Sequence, residues 1–218
     1  MNTYQFKQTG GAKYASLRAT WPFATLTVTQ NQLSLNLSLY TLHFRPADVV
    51  SIEPYSDNFS SGGILINHIV PNYKTPVVFK PTGDAHETMA QIGKTGFLDN
   101  KAALQPDIDT QIIDLQSQGA FAMKIPAVII IIVIWNALLI PQFYRVVAQN
   151  NPRDMFMGMR LATGFMALLC LTFIVSVPFR NLILKEGRTF KDIKMFIYFI
   201  LAICSIMFLV SLLMPEVA

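Results

Sequence analysis

Between residues 15 and 80 apolar and polar positions alternate in short runs broken by turn residues, the sequence form of antiparallel β-structure. The runs are LTVT (26–29), LSLNL (33–37), YTLHF (40–44), VVSIEPY (49–55), ILINHIV (64–70) and PVVF (76–79), with a first strand expected at YASLRA (14–19). Gln30, Asn31 and Gln32 form the turn of a hairpin, and SDNFSSGG (56–63) reads as a loop. Arg45-Pro46 stops its strand, because proline removes a ladder donor and restricts the residue before it. The period then changes. Asp84 is a natural N-cap, Glu87 stands three residues later and Gly96 suits a left-handed C′ position. One helix is therefore expected, with Met89, Ile92 and Ala85 facing the sheet.

Beyond residue 124 the alternation gives way to three long apolar runs, 125–144, 161–179 and 195–214. Each has about the 20 residues that a helix needs to cross roughly 30 Å of hydrocarbon, and none contains Asp, Glu, Lys, Arg or His. The pattern divides the chain into a β-domain at 1–98, a connector at 99–124 and a three-span region at 125–218. In the connector Pro106-Asp107 can open a short helix carrying Ile108, Ile112 and Leu115, ending at Gly119. With Asp107, Asp109 and Asp114 on it, this segment suits an ordinary linker helix better than one lying on an anionic leaflet.

Composition sharpens the division. The chain is 52% hydrophobic with a net charge of +4. Residues 1–124 hold nine basic and nine acidic side chains, so the whole excess lies in the span region. A nucleic-acid-binding domain normally shows a basic excess, and this domain has none. The first forty residues lack the basic start, apolar core and small-residue cleavage site of a signal peptide, so the first span is expected to serve as an uncleaved anchor. The two cysteines, Cys170 and Cys204, lie inside apolar runs, which disfavours a disulfide or metal framework.

Catalytic and cofactor motifs are not found. Gly93-Lys94-Thr95 matches the last three residues of a phosphate loop, but Thr88 stands where that motif needs glycine, and the triplet ends a helix instead of opening one. His43, His68 and His86 lack ligand-spaced partners. No Gly-x-Ser-x-Gly, His-Glu-x-x-His or Cys-x-x-Cys occurs. No catalytic, cofactor or metal residue is therefore assigned. In the first span Asn136 is the strongest polar group, expected to act as helix glue that fixes the packing of the three helices or the contact between protomers. Gly158 and Ala162 form a small-x-x-x-small pair that favours close helix contact.

Seven short strands followed by one helix is the order of a pleckstrin-homology-like or GRAM-like domain. Three stretches carry the likeness: Thr20-Trp21-Pro22-Phe23-Ala24, then Phe44-Arg45-Pro46-x-x-Val49-Val50-Ser51-Ile52-Glu53-Pro54-Tyr55, then Ile69-Val70-Pro71-Asn72-Tyr73. The segment from about residue 14 to 97 resembles the bacterial, membrane-associated version of that fold, over less than half the chain. The fold class expected is thus an α+β membrane protein, a small pleckstrin-homology-like barrel or sandwich followed by three transmembrane helices. These motifs are turns and core positions, so they specify shape more than activity.

Lys and Arg set the expected orientation. Lys124, Arg180, Lys185, Arg188, Lys191 and Lys194 flank one side of the spans, against Arg145, Arg153 and Arg160 on the other. The positive-inside rule places the β-domain in the cytoplasm of a bacterial inner membrane and the C-terminus across it. Lys185, Arg188, Lys191 and Lys194 recur every third residue, so on a helix they would form a slanting basic band. With Arg180 they are the candidate contact for anionic headgroups or a partner. The expected function is non-enzymatic: a membrane protein whose cytoplasmic domain binds a protein, a second copy of the chain, or lipid headgroups. A small transporter or channel subunit and an accessory subunit of a membrane enzyme complex are the alternatives. The loop 56–63 and the basic loop 180–194 are the expected contact regions.

Overall fold

The computed structural model describes residues 4–57, 60–100, 104–149 and 153–213. They form two compact units, divided after Ala122.

In the first unit seven antiparallel strands make one curled half-barrel sheet. The strands are β1 (Phe6–Tyr14), β2 (Leu17–Val28), β3 (Leu33–Leu37), β4 (Tyr40–Phe44), β5 (Val49–Asp57), β6 (Ser60–His68) and β7 (Val77–Pro81). Their spatial order is β4-β3-β2-β1-β7-β6-β5. Alternation places Leu26, Val28, Leu33, Leu35, Leu42, Phe44, Ile64, Ile66 and Phe79 on the concave face, where all are fully buried. Helix α1 (Ala85–Lys94) covers part of that face, with Asp84 accepting from the Glu87 amide and Gly96 at φ 68°. Ala85 and Ile92 are buried, Met89 packs on the core, and the Thr88 hydroxyl donates to Gln8 on β1. The expected helix and its inward face are therefore observed.

Two strand expectations need correction. The run 14–19 is not one strand: Tyr14 ends β1, Ala15 and Ser16 make the turn, with Ala15 at φ 51°, and residues 17–19 open β2. The strand before it, FKQTGGAKY, is disguised by Gly10-Gly11, which imitates a turn. In the sheet these glycines make a β-bulge and let β7 approach: a Cβ on Gly10 would collide with the Lys80 carbonyl oxygen and lie 2.8 Å from the Phe79 ring. The stretch read as a loop at 56–63 mostly belongs to β5 and β6, with only Asn58 and Phe59 between them, and these two lie outside the described residues.

Residues 104–122 also belong to this unit. Helix α2 (Pro106–Ser117) lies against β4 and buries Ile112 and Leu115. The chain then runs along the outer edge of β4, where the Thr41 amide donates to the Ala120 carbonyl and the Ala122 amide to the Leu39 carbonyl. An edge that would otherwise present unpaired groups is thereby covered.

The second unit contains α3 (Ile125–Gln149), α4 (Arg153–Val175), α5 (Val177–Ile183) and α6 (Phe190–Leu213). Among the described residues three stretches are long and apolar enough to cross a membrane: Ile125–Ala148, Met157–Val175 and Phe190–Leu213. Helix α4 packs against both α3 and α6. A Cβ on Gly158 would come within 2.7 Å of Gln142 on α3, and one on Gly164 within 3.3 Å of Phe208 on α6. Small residues thus permit both contacts, as the pair Gly158 and Ala162 suggested. The second span does not reach residue 179. It stops at Val175, and Ser176 caps a separate short helix by accepting from the Phe179 amide. Pro178 is the cause, since it supplies no amide to the Ile174 carbonyl four residues back and its ring crowds that carbonyl.

Candidate functional site

Strands β4 and β5 are consecutive in sequence yet lie at opposite ends of the sheet order, so the curled sheet has a seam. Residues 42–55 cross it. The 3-10 turn Pro46–Asp48 occupies the crossing, and Asp48 within it is only 3% exposed. Its carboxylate accepts from the Arg45 guanidinium at 2.7 Å, from the Arg45 amide at 2.8 Å and from Gln116 Nε2 at 2.6 Å. Gln116, on α2, also donates to the His43 carbonyl at 2.9 Å, and Arg45 reaches Asp109 at 3.1 Å. Burial pushes the Asp48 carboxyl up, but the hydrogen bonds from Arg45 and Gln116 outweigh it and hold the group below its ordinary value. The hydrogen bond with Asp48 raises Arg45 further above its usual range. This network is a clasp between sheet and α2.

The histidines lie apart. His43 Nδ1 is 3.0 Å from Gln32 Nε2, the His68 ring packs against Phe44 and Tyr73, and His86 lies on α1. Among the described residues no three His, Cys, Asp or Glu side chains gather as a metal site. Gly93 and Lys94 end α1, which points no helix N-terminus at a phosphate.

A site that the sequence reading missed lies where β1, β2 and β7 meet. Lys13 on β1 and Arg18 on β2 are direct cross-strand partners, a like-charged pairing that ordinarily costs stability. Lys80 pairs with Gly11 and brings a third cation to the same place. These three side chains line a cleft of about 360 Å³ with Thr20, Thr82 and Trp21. Trp21 is 64% exposed, unusual for so large an apolar ring. Among the described residues no carboxylate lines the cleft, so an electroneutral domain carries a locally positive hollow with an aromatic wall. Cations and a ring so arranged can receive an anionic group by Coulomb attraction and hydrogen bonds while the indole covers an adjoining apolar part. The signal available in the sequence was Lys13 and Arg18 flanking a tight turn, but Lys80 enters only through the β1–β7 pairing.

In the second unit the five expected contact residues share one end of the helices without forming the expected helical band. Helix α6 starts only at Phe190, so Lys191 and Lys194 alone ride on it, both exposed. Lys185 and Arg188 belong to the turn before it, where Gly187 has φ 71°. Arg188 is 6% exposed, and Lys185 is lowered by burial and by Arg188 beside it. Arg180, on α5, stacks over Phe190 at 5.4 Å. The Asn136 amide donates to the Ile132 carbonyl at 2.8 Å, within its own helix. A polar tie between helices is made by Arg160 on α4, whose Nε and Nη2 donate to the Ser211 carbonyl of α6 at 3.0 and 2.7 Å. An arginine at the carbonyl end of a helix complements its dipole.

No protein-family model, curated protein or solved structure matches this chain.

Proposed function

We propose that this is a non-enzymatic membrane protein in which a pleckstrin-homology-like domain serves as a binding module for an anionic group presented at the membrane surface. One observation carries the reading: the cleft of Lys13, Arg18 and Lys80 beside the exposed Trp21, lined by no carboxylate among the described residues. Two like-charged side chains placed opposite each other in a ladder cost stability, and a site for a negative ligand is the use that such a placement serves. The distribution of Lys and Arg supports a cytoplasmic domain in a bacterial inner membrane. The ligand class is then a phosphate-bearing headgroup or an acidic segment of a neighbouring protein, held near the domain by the tether of the spans.

Trp21 supplies the readout. The chain has two tryptophans, so Trp135→Phe leaves Trp21 as its single indole reporter. Titrating that variant, in discs of neutral lipid, with glycerol phosphate and separately with a glutamate-rich peptide should give a saturable change in emission with one of them. The combined variant Lys13→Gln, Arg18→Gln, Lys80→Gln should lose it. Emission that responds to neither probe rejects the cleft as the binding site.

A further inference from the structure

A second hollow lies within the membrane unit, independent of the cleft on the β-domain. It is a groove of about 740 Å³ between α3 and α4, overhung by α5. Ile130 and Ile134 form one wall and Leu168 and Leu169 the other, while Phe179 and Leu182 of α5 close one end. Among the described residues the lining contains two polar ones. Thr172 directs its hydroxyl to the Leu168 carbonyl at 2.9 Å and asks nothing of an occupant. Lys124 stands at the α5 end and donates one bond, at 2.9 Å, to the Asn181 carbonyl. An ammonium has three donors, so capacity remains for a ligand.

We propose that this groove holds one phospholipid with an anionic headgroup, its phosphate at Lys124 and an acyl chain between α3 and α4. Length and charge choose this occupant. From Lys124 to Ile134 the groove follows α3 for about 15 Å, the depth of one leaflet and half of the hydrocarbon core. A helix from a partner or a second copy would need a seam along the whole span, whereas a single lipid chain enters from one face and ends near the midplane. That face is the cationic one: α3 begins there, α5 lies there and α6 begins there, with Lys124, Arg180, Lys185, Arg188, Lys191 and Lys194 against only Glu186 and Asp192. Asp192 is occupied by the Thr189 amide and hydroxyl at 2.6 and 3.1 Å. The end of the groove is also held in place before any ligand arrives. The Lys124 amide donates to the Ile183 carbonyl at 2.8 Å, and Met123 pairs with Leu184 as an isolated β-bridge. Such preorganisation lowers the ordering cost of binding.

The test uses the full chain in discs of phosphatidylcholine doped with phosphatidylglycerol bearing a photoreactive acyl chain, with cross-linked peptides mapped by mass spectrometry. Cross-links should concentrate on α3 and α4 at Ile130, Ile134, Leu168 and Leu169. Unlabelled phosphatidylglycerol should displace the label and unlabelled phosphatidylcholine should not. Lys124→Gln should reduce the preference for phosphatidylglycerol about fivefold, and Ile131→Trp should fill the groove and remove the cross-links. The displacement experiment needs no variant, so a misfolded substitution leaves the proposal open to refutation. Label spread evenly over the outward faces of α3 and α6, equal displacement by both lipids, or cross-links from α3 to a second copy in place of lipid would overturn it.

Discussion

The two units solve opposite problems with apolar side chains. In the β-domain Leu26, Leu33, Leu42, Phe44 and Phe79 are removed entirely from the surroundings, and alternation along each strand decides which face they take. In the spans the apolar residues are mostly outside: no residue of the α3 window is buried inside the protein, and only 11% of the α6 window is. There, hydropathy states the solvent and says little about packing. Helix contacts come from what interrupts the apolar run, namely Gly158, Gly164 and Arg160. Mutations should accordingly act through polar clasps at the seam of the first unit, and through small residues and single polar ties in the second.

The largest effect should come from the length of the first unit. A fragment of residues 1–98 lacks α2, so it forfeits the burial of Ile112 and Leu115 and the Gln116 bond to buried Asp48. Two aliphatic side chains and one donor to a buried carboxylate amount to about 5 kcal/mol, comparable with the whole stability of many domains. Residues 1–122 should fold cooperatively in urea titrations followed by circular dichroism, and 1–98 should not. Equal midpoints for the two fragments would place the clasp outside the folding unit.

Next in size is Asp48→Ala within 1–122. It strands Arg45 and Gln116, and breaking a buried pair of this kind costs about 3 kcal/mol. Asp48→Asn, which keeps one acceptor, should cost less. In the membrane unit Arg160→Met removes two charge-assisted bonds to the Ser211 carbonyl and should lower thermal stability in detergent by about 2 kcal/mol. Asn136→Leu removes a bond confined to one helix and should change stability less than Arg160→Met does. A reversed order would show that Asn136 has an interhelical partner and that Arg160 is incidental.

How much of this was legible depends on how local the encoding is. Strands β3 to β7 and α1 follow from alternation and from the Asp84 cap, all signals within a few residues. The strand β1 did not, because Gly10-Gly11 imitates a turn and only the approach of β7 explains it. Helix α2 was visible as a helix, yet its membership of the β-domain rests on Arg45, Asp48 and Gln116, the last of them 68 residues from Asp48. The break at Ser176 was readable in Pro178, since a proline two residues into a new helix suits a start better than a continuation. The cationic cleft needed the β1–β7 register, which no local pattern carries.

The smallest expected effect tests whether the seam is also sensitive to pH. His68 ends β6, with its ring 5.3 Å from Phe44 and 6.1 Å from Tyr73. Burial lowers its pKa, and the nearby Lys74 backbone and the charge of Asp48 oppose that only in part. A histidine whose folded value lies below its unfolded value takes up a proton more readily when the chain unfolds. The contribution of the neutral ring is therefore fully present above the unfolded value of about 6.5 and is lost as pH falls through the lower folded value. Asp48, held below the ordinary carboxylate range, keeps its charge throughout that window, so its own titration does not enter. The urea midpoint of residues 1–122 should thus decline from pH 7 toward pH 5. His68→Phe preserves the aromatic contacts and removes the titrating group, so the decline should be shallower in that variant. Equal slopes in the two proteins would assign the pH dependence to groups outside the seam.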